Sequence, residues 1–224
     1  MGQDITLTAS DGHSFGAYRC DPAGVPLGGV VVIQEIFGVN DHIRDVTERF
    51  AALGWLAVAP ALYDRWKPGF TAGYTPDDIA VGREMKDKAN AELDNVMLDL
   101  EAARALAAEA GKVGVTGFCW GGVMTWLGAC RLGFDAASCY YGAGIINTVD
   151  AAPKCPTIMH FGSKDASIPI AEVEKIAAAQ PGVAVHVYDA DHGFHCDHRG
   201  QFNPRAANIA AMRTARLFDD NLRA

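Results

Sequence analysis

The sequence predicts an α/β fold: a mostly parallel central sheet of about eight strands with helices on both faces. Three observations carry that expectation. Short apolar runs bounded by glycine or proline recur along the chain and read as buried strands. Stretches with apolar residues at helical spacing lie between them, which implies parallel strands joined by crossover helices. The 224 residues, 50% of them hydrophobic, suffice for one large core, so a single domain over residues 1–224 is expected. In such sheets the functional loops gather at the carboxyl ends of the strands.

The elements follow in order. Residues 5–8 and 15–18 flank Asp11-Gly12, a hairpin-turn pair, so the chain opens with two antiparallel strands. The run 29–33 is a strand buried on both faces. Ile43, Val46, Phe50 and Leu53 recur at helical spacing and stop at Gly54, before a strand at 56–59 that Pro60 terminates. Residues 68–76, rich in Gly, Thr and Pro, read as a loop, and 79–110 as mostly helical with a break near Asn90. A strand at 113–116 enters a glycine-rich turn, and helical spacing resumes at Val123. Further strands fall at 137–141, 157–161 and 183–188, with helices at 170–180 and 207–222. No repeat or low-complexity tract interrupts them.

The formal net charge is −8 and no long basic run occurs, which argues against nucleic acid or an anionic membrane as partner. The N-terminus, Met1-Gly2-Gln3-Asp4-Ile5, lacks a basic region followed by an apolar run, and no uninterrupted apolar stretch reaches about 18 residues. A cytoplasmic protein acting on a small molecule is expected, as a monomer or small homo-oligomer. The six cysteines (Cys20, Cys119, Cys130, Cys139, Cys155, Cys196) show no CxxC spacing, which argues against zinc and a redox dithiol.

The chemistry concentrates at Gly117-Phe118-Cys119-Trp120-Gly121-Gly122, which has the form of a nucleophile elbow with cysteine in the serine position. On such a strand-to-helix turn the central residue is strained, glycines two before and two after let the backbones pass, and the helix N-terminus favours thiolate. The Trp120 amide becomes an oxyanion donor candidate. The competing reading is a buried structural cysteine in a glycine-rich loop.

Two later strand ends supply partners. Gly162-Ser163-Lys164-Asp165 follows the strand at 157–161, and Asp189-Ala190-Asp191-His192-Gly193-Phe194 follows that at 183–188. Nucleophile, acid and histidine in that chain order match the α/β-hydrolase arrangement, in which imidazole takes the nucleophile's proton and a carboxylate fixes its tautomer. Asp191 is a rival for the acid, ranked lower because a sequence neighbour rarely reaches the back of the same ring.

The strand at 29–33 runs into Gln34-Glu35-Ile36-Phe37-Gly38-Val39-Asn40. With this segment the chain resembles the dienelactone hydrolase (carboxymethylenebutenolidase) family: QEIFGVN at 34–40, the GxCxGG elbow at 117–122, YYG at 140–142 and the histidine motif at 191–194 occur in order over nearly the whole chain. The resemblance implies Cys119 as nucleophile, His192 as base, Asp165 as orienting acid, and oxyanion N–H groups from Ile36 and Trp120. It implies that Glu35 holds the resting cysteine as a thiol and accepts its proton once substrate displaces it, limiting oxidation of an idle nucleophile. Glu35 as a surface carboxylate capping the next helix is the plainer alternative. A lactone or small carboxylic ester is the implied substrate, with no metal or organic cofactor.

Family members acting on dienelactone bind the substrate carboxylate with arginines, and here 193–197 reads Gly-Phe-His-Cys-Asp, so the arginine after the histidine is not in place. His195, His198 or Arg199 are the local substitutes, Arg65 or Arg83 the candidates for the earlier cation, and Tyr63, Trp66, Tyr74 and Tyr141 the candidate aromatic lining. His160 reads as a packed residue, and Cys130 and Cys139 as core thiols. His192, His195 and His198 at i, i+3, i+6 suggest zinc only loosely, because Gly193 favours a loop. A thiol redox sensor using Cys119 or a non-catalytic binding protein on the same fold are the alternatives. The sensor leaves Asp165 and His192 unexplained, and the binding protein should tolerate Cys119→Ala without loss of function.

Overall fold

The computed structural model describes residues 2–223. Its strands are β1 (Gln3–Thr8), β2 (Ser14–Cys20), β3 (Gly29–Ile33), β4 (Leu56–Pro60), β5 (Val113–Phe118), β6 (Ala136–Tyr140), β7 (Thr157–Gly162) and β8 (Ala184–Tyr188). Its α-helices are α1 (Asp41–Ala52), α2 (Pro76–Ala91), α3 (Leu93–Ala107), α4 (Trp120–Arg131), α5 (Ile170–Ala179) and α6 (Pro204–Leu222). The strands take the order β1-β2-β4-β3-β5-β6-β7-β8 in a mostly parallel sheet. Among the described residues no helix is long and apolar enough to cross a membrane. The chain forms two compact units, one up to Gly114 and one of Val115–Arg223.

In the first unit β1 and β2 pair antiparallel around the Asp11-Gly12 turn, where Gly12 takes φ 89°. β2 also pairs antiparallel with β4, and β3 runs parallel to β4 with Val31 opposite Val58. Val30 to Ile33 are completely buried, as a continuous apolar run requires of a strand covered on both faces. Helices α1 and α3 pack on β3 and β4.

The second unit holds parallel β6, β7 and β8, with Cys139 opposite Met159 and Met159 opposite Val185. Helices α4 and α6 pack on β6. A polar chain crosses this core: the Ser138 hydroxyl lies 2.8 Å from the Thr214 hydroxyl, which lies 2.7 Å from that of Tyr140. His160, fully buried, sits 2.9 Å from the Tyr188 hydroxyl through Nδ1, and burial holds its pKa well below the usual histidine value. It is the packed residue expected. Cys139 is buried, whereas Cys130 keeps partial exposure.

Several boundaries differ from expectation, each for a local reason. The α1 core stripe is Ile43, Val46, Thr47 and Ala51, and Leu53 is 56% exposed, because the helix ends one residue earlier and Leu53 is its C-cap. α2 begins at Pro76 rather than near Ile79, since the Thr75 side chain and Asp78 form a capping box and proline suits the first helical position. The break between α2 and α3 falls at Glu92 rather than Asn90. β6 stops at Tyr140 because Tyr141 turns to φ 35°. α6 starts three residues early, capped by the Asn203 side chain on the Ala206 N–H. Two short 3-10 turns, Ala108–Ala110 and Ile145–Thr148, carry no periodicity by which the sequence signals them.

Candidate active site

Cys119 stands between β5 and α4 at φ 56°, ψ −118°, a backbone region closed to most side chains and costing about 1–3 kcal/mol. The surroundings enforce it. Its N–H donates to the Tyr140 carbonyl at 3.1 Å and its carbonyl accepts from the Gly122 N–H at 2.9 Å. A methyl group on Gly117 would run into the Gly121 carbonyl, and one on Gly122 into the Tyr140 carbonyl, so the crossing of β5, β6 and α4 tolerates only glycine there. The thiol keeps partial exposure, while Phe118 and Trp120 on either side are buried. Trp120 is the first residue of α4, so its amide belongs to the helix end whose N–H groups have no carbonyl one turn back.

The loops after β7 and β8 bring Asp165 and His192 together. Ser163 N–H donates to the Tyr188 carbonyl at 2.8 Å and Lys164 N–H to that of Ala190 at 2.9 Å, which ties the loop after β7 to the loop after β8. Asp165 is buried; one carboxylate oxygen accepts from the Ser167 N–H at 2.8 Å and the other lies 2.7 Å from His192 Nδ1. Asp191, by contrast, accepts the backbone N–H of His192 at 2.6 Å and does not take the ring. With Nδ1 engaged, Nε2 is left for Cys119. Burial alone would lower the His192 pKa, but the Cys119 charge and the hydrogen bonds the ring makes to Asp165 and Cys119 outweigh it and raise the value to about 10. The protonated, imidazolium form of His192 is the one this favours.

Aromatic residues frame the imidazole. The Tyr141 ring lies 5.1 Å from the His192 ring and 5.2 Å from that of Phe194, and all of the Tyr141 side chain is buried. His195 is also buried, its ring 5.0 Å from both Phe118 and Tyr140. Its place in this packing gives it a structural use that an i, i+3 count of histidines cannot show. Arg199 lies against the backbone of Gly193, whose φ of 77° and close guanidinium leave no space for a side chain.

The remaining predicted residues belong to the first unit. Glu35 and Ile36 follow β3 directly and are 1% and 8% exposed, so Glu35 is not a surface capping carboxylate. The plainer alternative is thereby set aside. Arg83 is exposed on α2, next to Gly82, whose Cα faces the Ile36 carbonyl. Arg65 is already committed: it binds both oxygens of buried Asp99 at 2.8 and 2.7 Å and Asp11 at 2.8 Å. That engagement was invisible in sequence because Asp99 lies on α3, far along the chain. Trp66 donates to Glu92 at 3.1 Å, and Tyr74 meets Phe37 edge-on at 4.8 Å.

Comparison with known proteins agrees with this architecture. Residues 15–222 match the dienelactone hydrolase family. The carboxymethylenebutenolidase of Pseudomonas putida is 34% identical over 98% of this chain and 95% of that protein. A Synechocystis protein assigned provisionally to the same activity is 41% identical over 92% of each. A Klebsiella pneumoniae structure, assigned provisionally as a dienelactone hydrolase, superposes with TM-score 0.82 and 31% identity, covering 97% of this chain and 99% of that one. An esterase from Pyrococcus furiosus shares the fold at TM-score 0.72 and 15% identity, over 99% and 93% of the two chains. The sheet with its left-handed cysteine elbow is therefore an α/β-hydrolase fold, and the chain belongs to the dienelactone hydrolase family of hydrolases.

Proposed function

We propose that this hydrolase opens lactones or cleaves small carboxylic esters with Cys119 as nucleophile, His192 as proton carrier and Asp165 as the acid that orients it. The observation carrying the reading is the 2.7 Å bond between Asp165 and His192 Nδ1, which leaves the other ring nitrogen for the hydrogen bond between His192 and Cys119. The Cys119 sulfur attacks the ester carbonyl carbon, and the oxyanion is met by the Trp120 N–H, with the Ile36 N–H assigned on the family resemblance. The C–O bond then breaks as His192 delivers its proton to the departing oxygen, leaving a thioester; in a lactone the released oxygen stays tethered. Water attacks the thioester, His192 takes one of its protons, and the C–S bond breaks to restore the thiolate and release a carboxylic acid, which gives its remaining proton to solvent and leaves as the carboxylate. Glu35 in this reading governs the resting state of the thiol, again on the resemblance. Tyr141 packs the imidazole, and Arg83 is the exposed cation available to an anionic substrate.

Steady-state hydrolysis of a dienelactone and of a simple aryl ester, by the unaltered protein and by Cys119→Ala, tests this. Turnover of the dienelactone that vanishes in the variant supports the full reading. Turnover of only the aryl ester through Cys119 keeps the mechanism and moves the substrate, and no turnover of either overturns it.

A further inference from the structure

A pocket lies at the open edge of the sheet in the second unit, where the end of β8 meets the first turns of α6. Its volume is about 460 Å³, and none of Cys119, Asp165 and His192 lines it. Arg205, Ile209 and Arg213 are spaced i, i+4, i+8 on α6, so they share one helix face across two turns, about 12 Å along the axis. Across from them stands Val187, which is 45% exposed on the edge strand. The pocket therefore has a cation near each end and aliphatic side chains between.

The charges there are unbalanced in an informative way. The chain carries 27 acidic and 19 basic residues, yet among the described residues neither Arg205 nor Arg213 is paired with a carboxylate, while Arg19, Arg44, Arg65, Arg216 and Arg223 all are. Asp189, the acidic side chain at the rim, is held by Lys164 at 2.9 Å. Arg213 is held in place by a neutral partner: its Nη1 donates to the Tyr188 hydroxyl at 2.9 Å, and its guanidinium stands 5.5 Å from the Tyr188 ring centroid. The Tyr188 hydroxyl in turn reaches buried His160 Nδ1 at 2.9 Å, so the floor of the pocket is tied into the core. Asn203 closes the rim, donating to the Asp189 carbonyl at 3.1 Å while its oxygen caps α6. A guanidinium fixed through a hydroxyl keeps its remaining N–H donors for an anion.

We infer that this pocket binds a short α,ω-dicarboxylate, one carboxylate on Arg205 and the other on Arg213, with the methylene chain over Ile209 and Val187. A single carboxylate would satisfy one arginine and leave the other idle, and a compact anion such as phosphate would leave the apolar centre unused.

The test is binding of glutarate, butyrate, inorganic phosphate and neutral glutaramide to the full chain. Calorimetry reads affinity, and amide chemical shifts read location, so the outcome is independent of any ester turnover. Glutarate is expected to bind roughly 10-fold or more tightly than butyrate, with saturable shifts at Val187, Tyr188, Ala206 and Ile209. Arg205→Gln and Arg213→Gln should each lower glutarate to the butyrate level. Arg205 is exposed and its variant keeps the fold, so it carries the test if Arg213→Gln loosens Tyr188. Equal binding of butyrate, equal or tighter binding of phosphate, binding of glutaramide, indifference to Arg205→Gln, or shifts confined to the residues around Cys119 and His192 would each overturn the assignment.

Discussion

Asp165 in the second unit and Asp99 in the first are both buried, at 4% and 1% exposure, and each holds a nitrogen partner at 2.7 Å. Asp99 faces a guanidinium, which keeps its charge at any pH the protein meets, so the pair is a fixed strut between α3 and the segment after β4. Asp165 faces an imidazole, whose charge can change, and the imidazole leads on to a thiol. The same carboxylate geometry meets a permanent charge in one unit and a titratable one in the other. What separates them is whether the partner can let go of a proton.

On the proposed mechanism the largest effects fall on the titratable pair and its cysteine. Cys119→Ala should lower turnover by about 10⁴-fold or more, as removal of a nucleophile does, with the melting temperature held or raised because alanine relieves no packing and the thiol is only partly buried. Asp165→Asn comes next, at roughly 10²–10⁴-fold in kcat, since an amide N–H facing Nδ1 selects the wrong imidazole tautomer. A full-rate Asn variant would remove Asp165 from the mechanism.

The pH dependence sharpens this. The His192 pKa is raised to about 10, so the protonated form is the one the fold stabilises; that contribution is complete below the free value of about 6.5 and is lost as pH climbs through about 10. Activity that needs the imidazolium should therefore fall on the alkaline side near pH 10. Asp165→Asn removes one cause of the raised value and should move that limb to lower pH, whereas an unmoved limb would assign the titration to another group.

On the strut the expectation reverses. Arg65→Ala leaves Asp99 buried without its cation and should cost about 3–5 kcal/mol of stability, read by urea unfolding, while kcat per folded molecule stays unchanged. The double replacement Arg65→Met with Asp99→Leu should recover most of that loss, because two desolvated charges give way to apolar packing. Loss of kcat with intact stability would instead return Arg65 to the substrate-binding role that its sequence position suggests.

This contrast also explains what the sequence could and could not express. The β3 strand, the hairpin and the elbow were legible because their signals are local: a pure aliphatic run, Asp-Gly between alternating residues, and closely spaced glycines around Cys119, of which Gly117 would carry a side chain into the Gly121 carbonyl. Asp165 and His192 were legible through chain order, which reflects strand order in the sheet. Arg65 was misleading because its role depends on Asp99, 34 residues on and brought near only by the packing of α3. Arg205 and Arg213 carry no motif that marks them, and it is the edge position of β8 that sets them over a pocket.

The smallest expected effect lies at the outer end of the strut. Asp11 sits in the hairpin turn, and its pKa is lowered to about 2, first by the hydrogen bond from Arg65 and then by that from the His13 N–H. A lowered carboxyl pKa stabilises the fold above its free value of 3.8, and the contribution fades as pH falls toward 2. Asp11→Asn retains an oxygen for the His13 N–H but not the charge for Arg65. The variant should therefore be slightly less stable than the unaltered protein at pH 7, and the gap in urea midpoint should close between pH 3.8 and 2. A gap that persists at pH 2 would place the effect in turn geometry. It would then leave Asp99 as the carboxylate that alone gives the strut its electrostatic hold.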